Sequence, residues 1–178
     1  MRIALVRHPL PLIEPGICYG HLDIPVHPDA VIAVDPALAG ANRVWTSPSR
    51  RCRVLAEVIA TALSAPLTVD ARLLELDFGQ WEGRPWNDVP RMELDRWAES
   101  PATYAPPGGE SGSALIARVR DFVATLHNNR QDCAVVSHGG PLKVLSALLD
   151  GRPVDLLAET QPIGSIRQHV LTLSPSDC

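Results

Sequence analysis

Four apolar residues, Ile3-Ala4-Leu5-Val6, stop abruptly at Arg7-His8-Pro9. The run is short and sits at one end of the chain, so it reads as a buried strand rather than a helix. Cys133-Ala134-Val135-Val136-Ser137 repeats the pattern and stops at His138-Gly139-Gly140. Strands that end this way place polar side chains at the carboxyl edge of an open sheet, where α/β folds bind their ligands.

The remaining segments alternate between strand and helix. Arg43–Thr46 and Leu67–Val69 read as further strands, and Gln168–Leu173 as the last one. A helix opens at Arg50, with Val54, Leu55, Val58, Ile59 and Ala62 as its apolar stripe. Ser111 caps a helix to about Leu126, with Leu115, Val119, Phe122, Val123 and Leu126 on one face. A third helix carries Leu142, Leu145, Leu148 and Leu149 and stops at Gly151. Asp29–Ala39 holds a weak helical piece interrupted by Pro36, and a helix is expected near Asp88–Ala98. This order implies an α/β fold: a three-layer α/β/α sandwich with a mainly parallel central sheet, in one domain over residues 1–178. The irregular stretch of about 70–110 is an excursion covering the carboxyl edge. It holds Trp81, Trp86 and Trp97, three of the four tryptophans, so it is expected to pack down.

With 46% hydrophobic and 20% charged residues, the chain is ordinary for a globular protein. A net charge of −4 and the lack of a long basic run argue against nucleic acid as a partner. No apolar run is long enough for a bilayer, so no membrane partner is expected. The N-terminus lacks the pattern of a signal peptide, so a cytoplasmic location is expected. Cysteines 18, 52, 133 and 178 show no paired spacing and read as reduced thiols.

Arg7 and His8 follow the first strand, Ser47–Arg51 the second, and His138 the fourth. In a parallel sheet these ends share one edge. Two imidazoles and several guanidiniums would converge there, and Glu75 lies on the excursion that covers the same edge. These are the parts of a phosphoryl-transfer site built without metal. Arg50, Arg51 and Arg53 work against the dipole of their helix, a hint that one of them serves a bound anion. Arg50 and Arg53 read as a solvated basic face. His21, Asp23 and His27 read as a polar loop beside the site rather than as metal ligands.

These motifs resemble, in order and over nearly the whole chain, those of the histidine phosphatase superfamily, the phosphoglycerate-mutase-like proteins. They are Arg7-His8, Ser47-Pro48-Ser49-Arg50-Arg51, Leu74-Glu75 with Phe78-Gly79-Gln80-Trp81-Glu82-Gly83, Gly108-Gly109-Glu110-Ser111, and Val135-Val136-Ser137-His138-Gly139-Gly140. The resemblance implies a phosphohistidine mechanism with no cofactor and no metal. His8 would be the nucleophile, and Arg7, Arg51 and His138 would hold the phosphoryl oxygens. Glu75 would protonate the leaving oxygen and then take a proton from water. Gly139, Tyr19 and Gly20 would line the substrate.

Pro9 and Pro11 depart from the family pattern of Gly after the histidine and Thr or Ser two residues further on. Pro9 keeps its carbonyl, which can still accept from the His8 ring. The compact chain lacks the added segment of the mutases, so the resemblance favours hydrolysis of a small phosphomonoester. Cys18–Val26 is similar to the α-ribazole phosphatase branch of cobalamin nucleotide-loop assembly. The alternatives are a broad-specificity sugar phosphate phosphatase, a mutase-type phosphotransferase, or a non-catalytic phospho-ligand binder. A monomer or homodimer is expected.

Overall fold

A computed structural model describes residues 1–171. Residues 172 and 173 of the expected last strand, and Cys178, lie outside the described residues. Five strands form one sheet: β1 (Arg2–Arg7), β2 (Arg43–Thr46), β3 (Leu67–Val69), β4 (Cys133–Ser137) and β5 (Ile166–Val170). Their order is β3-β2-β4-β1-β5. β1 and β2 flank β4 in parallel, with Arg7 opposite Ser137 and Thr46 opposite Val136. β3 pairs parallel with β2, and β5 runs antiparallel along β1.

The helices are α1 (Arg50–Leu63), α2 (Arg91–Glu99), α3 (Gly112–Asn129) and α4 (Gly139–Leu149). Alternate strand residues face opposite sides of a sheet. Ile3, Leu5 and Val135 therefore pack with Leu115, Phe122 and Leu142 of α3 and α4. Ala4, Val6, Ala134 and Val136 pack with Leu55, Ala56 and Ile59 of α1 on the other side. These are the three expected layers. Ser111 caps α3 by accepting from the Ala114 N–H at 3.3 Å.

The structure corrects two local expectations. The inner face of α1 is Cys52, Leu55, Ala56, Ile59 and Ala60. Val54 and Val58 are 38% and 39% exposed, and Ala62 is exposed. Small residues at 52, 56 and 60 let α1 lie close on the sheet, which the bulkier valines would prevent. Asp29–Ala39 contains one 3-10 turn, Pro36–Leu38, capped by the Asp35 side chain on the Ala37 N–H. Pro36 disfavours helix at the residue before it, and what precedes is too short to sustain one.

The excursion packs down as expected. Trp81 is 1% exposed and clusters with Cys18, Val89, Trp86 and Trp97. Its indole N–H donates to Glu93 of α2 at 2.8 Å. Cys18, Cys52 and Cys133 are buried free thiols. No described helix is long and apolar enough to cross a membrane.

Candidate active site

β1 does not release its chain at Arg7. The His8 N–H donates to the Ser137 carbonyl at 3.0 Å, which extends the pairing with β4 by one residue. The imidazole is thereby fixed at the sheet edge, 1% exposed. Its Nδ1 lies 2.8 Å from the Pro9 carbonyl oxygen. A carbonyl only accepts, so Nδ1 carries the proton and Nε2 keeps a free lone pair. Pro9 thus serves the ring through the atom it retains. Burial pushes the His8 pKa down to about 3, and the Arg51 and Arg7 guanidiniums push the same way. The ring is neutral at ordinary pH.

Arg51 stands in the first turn of α1 and is fully buried. Its Nη2 donates to the Gly20 carbonyl at 2.6 Å and its Nη1 to the Leu22 carbonyl at 2.9 Å. Its guanidinium carbon sits 5.3 Å from the centre of the Tyr19 ring. Tyr19 and Gly20 therefore reach the site as the seat of Arg51. A Cβ on Gly20 would fall 1.9 Å from the Leu76 carbonyl oxygen, so only glycine fits between the two loops. Arg50 and Arg53 face solvent, and Arg53 pairs with Glu57 at 2.9 Å.

Arg7 donates from Nη1 to the Thr160 hydroxyl at 3.2 Å and to the Gln161 carbonyl. Gly139 lies against it: a Cβ there would meet the Arg7 guanidinium carbon at 3.3 Å. Arg7 and Arg51 each keep a buried Nε–H with no hydrogen-bond partner. Burying a charged donor unpaired is costly, so two such groups beside one imidazole fit a site suited to an anion.

His138 precedes α4, fully buried, its ring centroid 5.2 Å from that of His8. Its Nε2 lies 2.8 Å from the Ser47 hydroxyl and 3.5 Å from Cys52 Sγ. Burial, with help from Arg51 and His8, holds its pKa well below the usual histidine range.

Glu75 approaches from the excursion. Its carboxylate accepts from the Gly140 N–H at 3.1 and 3.3 Å and from the Leu76 N–H at 2.9 Å. The first of these donors belongs to the positive end of α4. Arg118 on α3 holds the backbone beneath Glu75. It donates to the carbonyls of Arg72 and Leu74, both at 2.7 Å, and of Glu75 at 2.9 Å. Glu110 pairs with the same guanidinium, Nε to Oε2 at 3.2 Å. Arg118 escaped the sequence reading, although a long cation beside the buried stripe of α3 was a visible signal. Ser47, Thr160 and Gln161 also contact site residues that the sequence could not pair with them.

His21, Asp23 and His27 take separate partners. His21 Nε2 meets the Glu75 carbonyl at 3.0 Å, Asp23 accepts from the Arg50 N–H at 2.7 Å, and His27 Nδ1 accepts from the Asp29 N–H at 3.1 Å. The loop clasps the excursion and caps α1.

The arrangement offers a neutral nucleophilic nitrogen, one buried and one half-buried guanidinium for a tetrahedral anion, and a carboxyl group held at the start of α4. A model of the histidine phosphatase superfamily (branch 1) matches residues 3–173. A Hydrogenobacter thermophilus protein, provisionally named phosphoserine phosphatase 2, is 31% identical over 160 residues, 84% of this chain and 79% of the relative. The Escherichia coli adenosylcobalamin/alpha-ribazole phosphatase is 27% identical over 168 residues, 88% of this chain and 83% of its own. Among solved structures, a mycobacterial glucosyl-3-phosphoglycerate phosphatase with VO3 superposes with a TM-score of 0.79 at 28% identity, covering 94% of this chain and 91% of that one.

Proposed function

This chain belongs to branch 1 of the histidine phosphatase superfamily, and on that premise we propose that it hydrolyses a small phosphomonoester through a phosphohistidine on His8. The observation that carries the reading is the His8 ring itself. Its Nδ1–H is tied to the Pro9 carbonyl, and its Nε2 lies free beside two guanidiniums with unused N–H groups.

In the first step His8 Nε2 attacks phosphorus, and the bond to the ester oxygen breaks as the nitrogen–phosphorus bond forms. Glu75, protonated, gives its proton to the departing alkoxide. Arg7, Arg51 and His138 hold the three non-bridging oxygens, whose charge must be tolerated in the transition state. In the second step water attacks phosphorus, passes a proton to the Glu75 carboxylate, and releases phosphate and neutral His8. No metal enters either step.

At the level of substrate, we assign α-ribazole 5′-phosphate as the first candidate, on the likeness of the Cys18–Val26 loop. The names of the relatives span several alcohols, so the panel that tests this is broad. Release of phosphate from α-ribazole 5′-phosphate is compared with O-phosphoserine, sugar phosphates and, as the mutase control, 3-phosphoglycerate. Preference for the ribazole ester, lost in His8→Ala with the fold intact, is the expected result. Isomerisation of 3-phosphoglycerate without release of phosphate would favour a mutase. Binding of esters without turnover would favour a phospho-ligand binder.

A further inference from the structure

Glu75 has two neighbourhoods. Its carboxylate accepts from the Gly140 N–H at the start of α4, the helix that follows His138. The same residue borders a cavity of about 150 Å3. Thr160, the hydroxyl partner of Arg7, lines the same cavity, so it shares a wall with the anion site. Its remaining walls are largely apolar: Phe78 and Trp97 from the excursion, Leu115 from α3, and Leu156 from the loop after α4.

We infer that this cavity receives the alcohol half of the substrate, and that this half carries a ring-sized apolar group. The inference rests on the role of Glu75 as proton donor. A group that protonates the leaving oxygen must touch it, so the carbon attached to that oxygen continues into the space bordering Glu75. A space of about 150 Å3 with apolar walls matches a benzene-sized ring. An alcohol with no apolar part would leave Phe78, Trp97 and the leucines uncovered and would forgo the gain of burying a ring against them. Lys143 supplies one polar anchor. Lys143 lines the cavity, and its ammonium uses one N–H on the Leu156 carbonyl at 2.7 Å, which leaves two donors for acceptors on the ligand. The pocket thus selects a ring-bearing alcohol and offers its acceptors the free donors of Lys143.

The test uses alkyl esters whose leaving groups are of similar acidity: benzyl phosphate, glycerol 3-phosphate, O-phosphoserine and methyl phosphate. Benzyl phosphate is expected to exceed glycerol phosphate and phosphoserine in kcat/KM by about tenfold or more. Leu156→Trp adds bulk at the cavity wall from a half-buried loop position, with circular dichroism checking that the fold is kept. It should lower the benzyl-to-methyl preference by about tenfold. Trp97→Ala should shift preference towards a naphthylmethyl ester. Equal rates for benzyl and glycerol esters, or a benzyl-to-methyl ratio unmoved by Leu156→Trp, would overturn the inference and leave hydrolysis standing. Absence of turnover on every ester would remove the hydrolase reading and this inference with it.

Discussion

Mild acid should destabilise this fold through the two imidazoles at its sheet edge, and the size of the effect follows from their burial. His8, with its pKa pushed down to about 3, and His138, held well below the usual range, both stay neutral in the folded protein. In the unfolded chain each protonates near its ordinary value of about 6.5. Below that value the unfolded state binds protons that the folded state refuses, so stability present above pH 6.5 is lost as the pH falls towards the folded values. His8 contributes up to about 1.4 kcal/mol per pH unit, roughly 2.3 kcal/mol between pH 6.5 and 4.5, and His138 acts in the same direction. The His8 share alone is a sizeable fraction of a whole domain's stability, roughly 5–15 kcal/mol. Asp132, held low by the Arg2 backbone and side chain, and Asp150, held low by Arg152, lose their contribution only below about pH 4. The window therefore isolates the histidines. Urea unfolding at half-unit steps from pH 6.5 to 4.5, on wild type and His8→Gln, reads the slope directly. The variant slope should be shallower by about 1.4 kcal/mol per pH unit, whatever its absolute stability. Equal slopes would refute a neutral, buried His8.

Three further outcomes are expected. Glu75→Gln should cut turnover most on alkyl phosphates, where the leaving oxygen needs a proton, and least on p-nitrophenyl phosphate; an equal loss on both would exclude the acid role. Arg118→Met frees three carbonyls beneath Glu75 and should show the same leaving-group dependence, with kcat on alkyl esters down by about 100-fold; a uniform loss across esters would make Arg118 merely structural. Activity should survive prolonged EDTA treatment, measured as phosphate release from one ester before and after; inactivation reversed by a divalent ion would reopen the role of His21, Asp23 and His27.

The sheet and the partners at its edge were legible because they depend on local signals. Apolar runs of strand length end in Arg7-His8 and in His138, and parallel pairing brings those ends together wherever the loops run. Arg51 stood apart from Arg50 and Arg53 only through motif spacing; periodicity alone did not distinguish the three. What the sequence hid was mostly long-range. Arg118 reaches carbonyls more than 40 residues away, and Thr160 meets Arg7 across more than 150. No local pattern encodes such pairs. On α1, two apolar stripes share Leu55 and Ile59, and hydrophobicity favoured the valines. Packing chose the small residues, because distance to the sheet decides which stripe turns inward.

Trapping the covalent intermediate tests the central claim most directly. The enzyme is mixed rapidly with a turned-over ester, quenched in alkali to preserve a nitrogen–phosphorus bond, digested, and read by mass spectrometry. The account predicts one phosphoryl group on the peptide containing His8, attached to Nε2, formed within a single turnover and absent in His8→Ala. A phosphoryl group on His138 or on any other residue, or turnover with no phosphorylated peptide at all, would contradict it.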